Sequence, residues 1–199
     1  MTASNEELEL KDRLNLIEAM IAEGRRTTAS WGWTFVLWGM AYYVAIGWSA
    51  LDNSALAWPV TMIGSCVLMG VLIARSAHNR PGTTIGRAMR AIWIAMGISM
   101  FTLLTCLGMS GRYNLHIFVA IIGTMLGMAN ATSSMILKWK MQFACALVWW
   151  AAAVVSCFTS ESLTSIAFLA AIFFCQIVFG IYGMILEARR RNRQGAVHA

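Results

Sequence analysis

The chain has 199 residues, of which 59% are apolar, 15 are Lys or Arg and 9 are Asp or Glu, giving a formal net charge of +6. This composition excludes a disordered chain and a soluble globular domain, and the long apolar stretches exclude a β-barrel, whose strands alternate over about ten residues. The basic residues flank the apolar stretches instead of forming one basic face, so we expect no nucleic-acid partner.

The placement of the charges predicts the fold class. Six stretches of 20 to 25 residues contain no Asp, Glu, Lys or Arg, and a helix needs roughly 20 apolar residues to cross a bilayer core. We therefore predict an all-α, polytopic integral membrane protein whose transmembrane domain covers residues 30–187. Its six transmembrane helices are expected in three hairpins, at residues 31–51, 55–74, 88–109, 115–137, 141–158 and 163–186.

The segment before the first span, residues 1–29, is predicted to be a cytoplasmic amphipathic helix and a linker. Leu10, Leu14, Ile17 and Ile21 recur at spacings of four, three and four, which lays one apolar stripe along a helix that should end at Gly24. The same segment carries six acids and no apolar run, so we expect no cleavable signal peptide.

Two roles are open for this stripe. It could pack on the protein's own inner face or in the lipid interface, or it could bind a cytoplasmic or membrane protein partner, for instance in a short coiled coil. Two heptads are too few to specify a stable coiled coil alone. The candidate partner-binding residues are Leu10, Leu14, Ile17 and Ile21.

The distribution of Lys and Arg predicts the orientation. Fourteen of the fifteen fall on one side of the predicted spans, and only Arg112 falls on the other. Because short loops rich in Lys and Arg stay in the cytoplasm, both termini should be cytoplasmic in the cell inner (plasma) membrane. Residues 188–199 then form a basic cytoplasmic tail.

The fourth span contains the clearest helix-packing pattern. Gly123, Gly127 and Ala131 recur every four residues, a small-residue stripe that lets two helices approach closely in lipid. The stripe could serve packing within the chain or a homodimer contact. Asn130, in the same span, and Gln176, in the sixth, are the polar candidates, either for hydrogen bonds between helices or for lining a solute path.

The sequence offers no chemistry for catalysis. No Asp, Glu, His, Lys or Arg lies in the middle of a predicted span, and no phosphate-binding loop, nucleophile elbow or metalloprotease motif is present. The three His and five Cys are isolated from one another, which is not the pattern of a metal or haem site. We therefore predict no enzyme activity, no catalytic residue, no metal and no cofactor.

The order of features resembles a known family layout. After the amphipathic lead helix come Trp33-Thr34-Phe35-Val36-Leu37-Trp38-Gly39, then Trp58-Pro59, an Arg-rich inner loop and Lys138-Trp139-Lys140. This layout resembles a family of uncharacterised six-span bacterial inner-membrane proteins. The resemblance implies six spans in the inner membrane, and it supplies no activity and no site residue.

Two functional classes follow from these patterns. The first is a non-catalytic accessory or scaffold module of the lipid bilayer that presents its N-terminal helix and inner loops to a partner. The second is a small-solute or lipid permease that uses Asn130 and Gln176 without any titratable residue in the membrane. The charged N-terminal helix favours the first class.

Overall fold

The computed structural model describes residues 2–52, 56–76, 84–111 and 114–197, and all regular structure in these ranges is helical. The elements are α1 (Thr2–Ser30), α2 (Gly32–Asp52), α3 (Ala57–Ser76), α4 (Thr84–Met109), α5 (Leu115–Leu137), α6 (Lys140–Phe158), α7 (Glu161–Ile172), a π-helical turn (Phe173–Val178) and α8 (Phe179–Val197). Within the described ranges, six helices are long and apolar enough to cross a membrane. The predicted all-α class with six apolar membrane-spanning lengths is therefore confirmed.

The first helix is longer than predicted. The predicted end at Gly24 is wrong, because α1 continues to Ser30. Gly24 is buried, and a Cβ atom built on it would lie 2.6 Å from Cγ2 of Ile85 and 2.8 Å from Cδ2 of Leu137. The glycine therefore permits a close contact with α4 and α5 instead of capping the helix.

The last span and the basic tail form one continuous helical rod. The rod runs from Glu161 through the π-helical turn to Val197, and its apolar span covers Glu161–Arg190. The predicted tail is thus helical as far as the structure describes it, because an Arg-rich sequence has a high helix propensity. A helix of this length reaches past the apolar core of a bilayer.

The helices α5 and α6 form the most extensive helix contact. Only Lys138 and Trp139 separate them, and Lys138 adopts the left-handed conformation with φ 50°. Its backbone N–H donates to the Met135 carbonyl over 3.4 Å, and the N–H of Trp139 donates to the Ser134 carbonyl over 3.0 Å. This closed turn satisfies two carbonyls in the last turn of α5 and makes α6 run back antiparallel beside it.

Aromatic side chains fill the centre of the bundle. The ring of Phe118 on α5 meets Trp58 of α3 and Phe168 of α7, with centroids 4.7 and 5.7 Å apart. Trp149 of α6 is fully buried and lies 6.1 Å from the same Phe168. These contacts, two of them edge-to-face and one tilted, join four helices, and an aromatic pair contributes about 0.5–1.5 kcal/mol beyond simple burial.

The helices α3 and α4 lie at the periphery. Only 6% of the apolar window in each is buried inside the protein, compared with 50% in α5. Their exposed apolar side chains suit a lipid environment, where burial by protein is not required.

The close approach of α5 and α6 predicts a difference between two glycines. A Cβ atom at Gly123 would lie 2.8 Å from the backbone oxygen of Trp149, whereas one at Gly47 would meet nothing within 4 Å. Because a backbone atom cannot move aside, Gly123→Ala should lower the unfolding free energy in detergent by about 1–3 kcal/mol. Gly47→Ala, the matched control, should leave it unchanged. Equal effects in thermal unfolding would contradict the close approach.

Candidate functional surface and buried polar residues

The apolar stripe of α1 is exposed over most of its length. Leu10, Leu14 and Ile17 expose 60%, 53% and 52% of their surface, and Ile21 is half-buried. Every residue from position 9 to position 20 is exposed, so most of this part of α1 projects from the bundle. Within the described residues, the bundle therefore leaves most of the stripe uncovered.

The opposite end of α1 holds the helix on the bundle. Gly24 packs against Ile85 and Leu137, and an open surface groove of about 240 Å³ lies beside this contact, lined by Ala19, Met20, Glu23 and Ile85. The helix also packs on α8, whose basic end lies on the same side of the bundle. Since α1 is fixed at its C-terminal end, its stripe is presented in a defined direction.

Charged side chains lie beside the stripe. Arg13 and Glu9, one turn apart and both well exposed, form an ion pair. Ion pairs of this kind add little stability. Leu16 and Met20 are exposed as well, so the stripe is the longest apolar surface of this part of α1 but not its sole one.

The small-residue stripe of α5 faces α6. A Cβ atom at Gly123 would meet the backbone of Trp149 and the side chain of Ala153, and one at Gly127 would collide with the indole ring of Trp150. Ala131 is also buried. The glycines therefore serve a contact inside the chain.

A second glycine contact was missed by the sequence analysis. A Cβ atom at Gly32 of α2 would lie 2.5 Å from the Gly180 carbonyl oxygen of α8, and one at Gly180 would lie 2.7 Å from the Gly32 carbonyl oxygen. One at Gly39 would lie 2.9 Å from Cβ of Gln176, which is buried in the π-helical turn. The separation of seven residues between Gly32 and Gly39, two helical turns, was the available signal.

Several buried polar atoms at the α5–α6 contact have no hydrogen-bond partner among the described residues. Asn130 donates through Nδ2 to the Leu126 carbonyl over 2.8 Å, but its Oδ1 accepts no hydrogen bond. Gln142, which is fully buried, has no partner for either amide atom, and the Ser133 hydroxyl has none. Because Gly127 meets Trp150 and Gly123 meets Ala153, the same register puts Gln142 at the level of Ser133 and Ser134.

A polar network joins three helices at the opposite end of the bundle. Nδ1 of His116 lies 2.8 Å from the Ser156 carbonyl oxygen, and since a carbonyl only accepts, this nitrogen carries the hydrogen. The Thr164 hydroxyl lies 3.2 Å from the same nitrogen and 3.3 Å from the Thr159 hydroxyl. These contacts tie α5, α6 and α7 together and involve a single titratable group.

The five cysteines are free, and two of them pack at one helix contact. The Cys175 thiol of the π-helical turn donates to the Cys145 carbonyl of α6 over 3.5 Å, and both residues are buried. Within the described ranges, no group of three His, Cys, Asp or Glu side chains could hold a metal ion.

Comparison with known proteins identified no relative of this chain. No protein-family model, curated protein or solved structure matches this chain. The resemblance to a six-span bacterial inner-membrane family therefore stays a prediction.

The unpartnered amide of Gln142 predicts an unusual response to substitution. Each buried polar group without a partner costs about 1–3 kcal/mol, so Gln142→Leu, which keeps a similar volume, should preserve or raise thermal stability in detergent. Tyr43→Phe is the matched control, because the Tyr43 hydroxyl donates to the Leu169 carbonyl over 3.0 Å. The control should lose about 1 kcal/mol. A loss at Gln142→Leu instead would indicate bound water or another polar partner.

Proposed function

We propose that this protein is a non-catalytic accessory or scaffold module of the cell inner membrane, which presents α1 and its inner loops to a protein partner. The observation that carries the proposal is the exposure of Leu10, Leu14 and Ile17 on a helix outside the six apolar spans. An isolated helix is marginal in water, and exposed Leu and Ile side chains favour a covering surface. A partner helix or groove supplies such a surface.

The packing of α1 supports a recognition role. A helix that only anchored the bundle would turn its apolar stripe inward, whereas here the inward contact is made by Gly24 near the end of the helix. The helix α1 is therefore fixed to the bundle near its C-terminal end, and its apolar stripe is exposed. This is the arrangement expected of a docking element.

The contacts between the two ends of the chain support the proposed orientation. The helices α1 and α8 pack together, which agrees with an even number of crossings and termini on one side. Gly24 lies against Ile85 and Leu137, which are close in sequence to the basic residues Arg87 and Lys138. Fourteen Lys and Arg residues on that side favour a cytoplasmic location.

The helix pairs support an arrangement in three hairpins. Contacts join α2 with α3, α4 with α5, and α6 with α7, and the more extensive α5–α6 contact joins the second pair to the third. Each pair consists of consecutive helices with a short connection, which is the usual topology of neighbouring membrane spans.

A permease is the second candidate function. The unpartnered polar atoms of Asn130 and Gln142 favour it, because they could contact a polar solute. Against it, Gly123 and Gly127 bring α5 and α6 so close that even a Cβ atom would not fit between them. A solute path along this contact would have to separate the two helices, so we rank the permease below the scaffold.

Substitution of the stripe tests the proposed function. The double change Leu14→Asp with Ile17→Asp should abolish copurification of the partner from native membranes, because a charge buried in an apolar contact costs several kcal/mol. Membrane abundance should not change, since both side chains are exposed. The control is Leu16→Asp, because Leu16 is equally exposed but lies off the stripe. Loss of abundance in the double variant would show that the stripe serves folding.

Cysteine labelling tests the orientation. An impermeant thiol reagent should label Ser160→Cys in intact cells and should reach Lys138→Cys only after permeabilisation, because both positions are exposed at opposite ends of α6. The native cysteines lie within the apolar helices, so the parent chain is the background control. The reverse labelling pattern would refute the cytoplasmic placement of the termini.

A further inference from the structure

We propose that the partner of the α1 stripe is a second copy of this chain, and that the two α1 helices pair in parallel as a short two-stranded coiled coil. This inference rests on the proposed function, since it names the occupant of the same surface. It depends on the spacing of the stripe, on its exposure and on the charges that flank it.

The stripe follows a heptad repeat. With Leu14 and Ile21 at position a, Leu10 and Ile17 fall at position d, so the four residues form one continuous a/d seam. Three of them are more than half exposed, and the seam ends where Gly24, the next d position, meets the bundle. Leu16 falls at position c and lies outside the seam.

The flanking charges are complementary for two identical helices in parallel. In a parallel pair, position g of one helix faces position e of the other, five residues further along. Arg13 occupies g and Glu18 occupies e, so each copy of Arg13 faces Glu18 of the second copy. In the preceding heptad, Glu6 at position g likewise faces Lys11 at position e of the second copy. Both g-to-e pairs that join two charged residues along the seam are therefore attractive.

These pairs do not exist within one helix. Residues five apart point about 140° away from each other around a helix, since neighbouring positions are three and four apart. Arg13 instead pairs with Glu9 in its own helix, at position c. Within a single chain, Arg13 and Glu18 therefore do not form an ion pair with each other.

Two heptads are too few to pair free helices, but helices tethered in one membrane can pair over this length. Two copies inserted with the same topology present α1 on the same side of the membrane, and confinement to one membrane raises their effective concentration. Fixing the base of α1 by the Gly24 contact lowers the entropy lost on pairing. A short seam that would not hold free peptides together can then hold tethered helices.

The test uses two full-length copies with different tags, co-expressed and extracted in mild detergent. Arg13→Glu in both copies turns two attractive pairs into repulsive ones, so copurification of one tag with the other should fall about tenfold. Glu18→Arg in both copies should have the same effect. The double variant Arg13→Glu with Glu18→Arg should restore the original recovery, because each pair is attractive again with its signs exchanged.

Two controls on the same helix isolate the contact between copies. Glu9→Gln removes the ion pair within α1 and leaves positions e and g unchanged, so it should not alter copurification. Leu16→Asp adds a charge off the seam and should not alter it either. All variants change exposed side chains, and equal membrane abundance verifies that the bundle is intact.

The remaining outcomes overturn the proposal. A double variant as weak as the single ones would overturn the parallel pairing, and absent copurification of the two tags in the parent chain would overturn the homodimer. If Leu14→Asp with Ile17→Asp then still releases a different protein, the proposed function survives without self-association. If it releases nothing and the stripe is instead protected by added lipid vesicles, both proposals fall and α1 is an interfacial helix.

Discussion

The backbone contact between α5 and α6 is the constraint on which the rest of the bundle depends. At Gly123 the two helices are so close that no side chain fits between them, and the left-handed turn at Lys138 fixes their antiparallel direction. In lipid, burying apolar side chains between two helices stabilises them little, because lipid is also apolar. Close van der Waals packing therefore has to hold the helices together. The aromatic cluster around Phe118 and Trp149 is assembled on this pair.

A second close approach connects the two ends of the chain. Gly32 and Gly180 bring α2 against α8, and Gly39 brings α2 against the π-helical turn. An extra residue in a π-turn changes the direction of the side chains that follow, and here it coincides with the α2 contact. The base of α1, just before α2, is thereby fixed to the same assembly, while the α1 stripe remains outside it.

Elements with long, uninterrupted patterns were predicted well. The spans at 115–137 and 141–158 match α5 and α6 to within a residue, because absence of charge over about 20 residues leaves few alternatives to a membrane helix. The predicted end of α1 at Gly24 failed, since a glycine can serve either as a cap or as a contact and the local sequence is the same for both. The π-helical turn had no recognisable signal in the sequence.

The sequence by itself determined the helical class, the six apolar lengths and the four residues of the α1 stripe, because each depends on spacing and charge along a single segment. Only the tertiary structure decided which surface each pattern meets. It turned the α5 glycines toward α6, brought Gly32 to Gly180 across the length of the chain, and left the stripe exposed. Those outcomes depend on contacts between residues far apart in sequence, which no local pattern encodes.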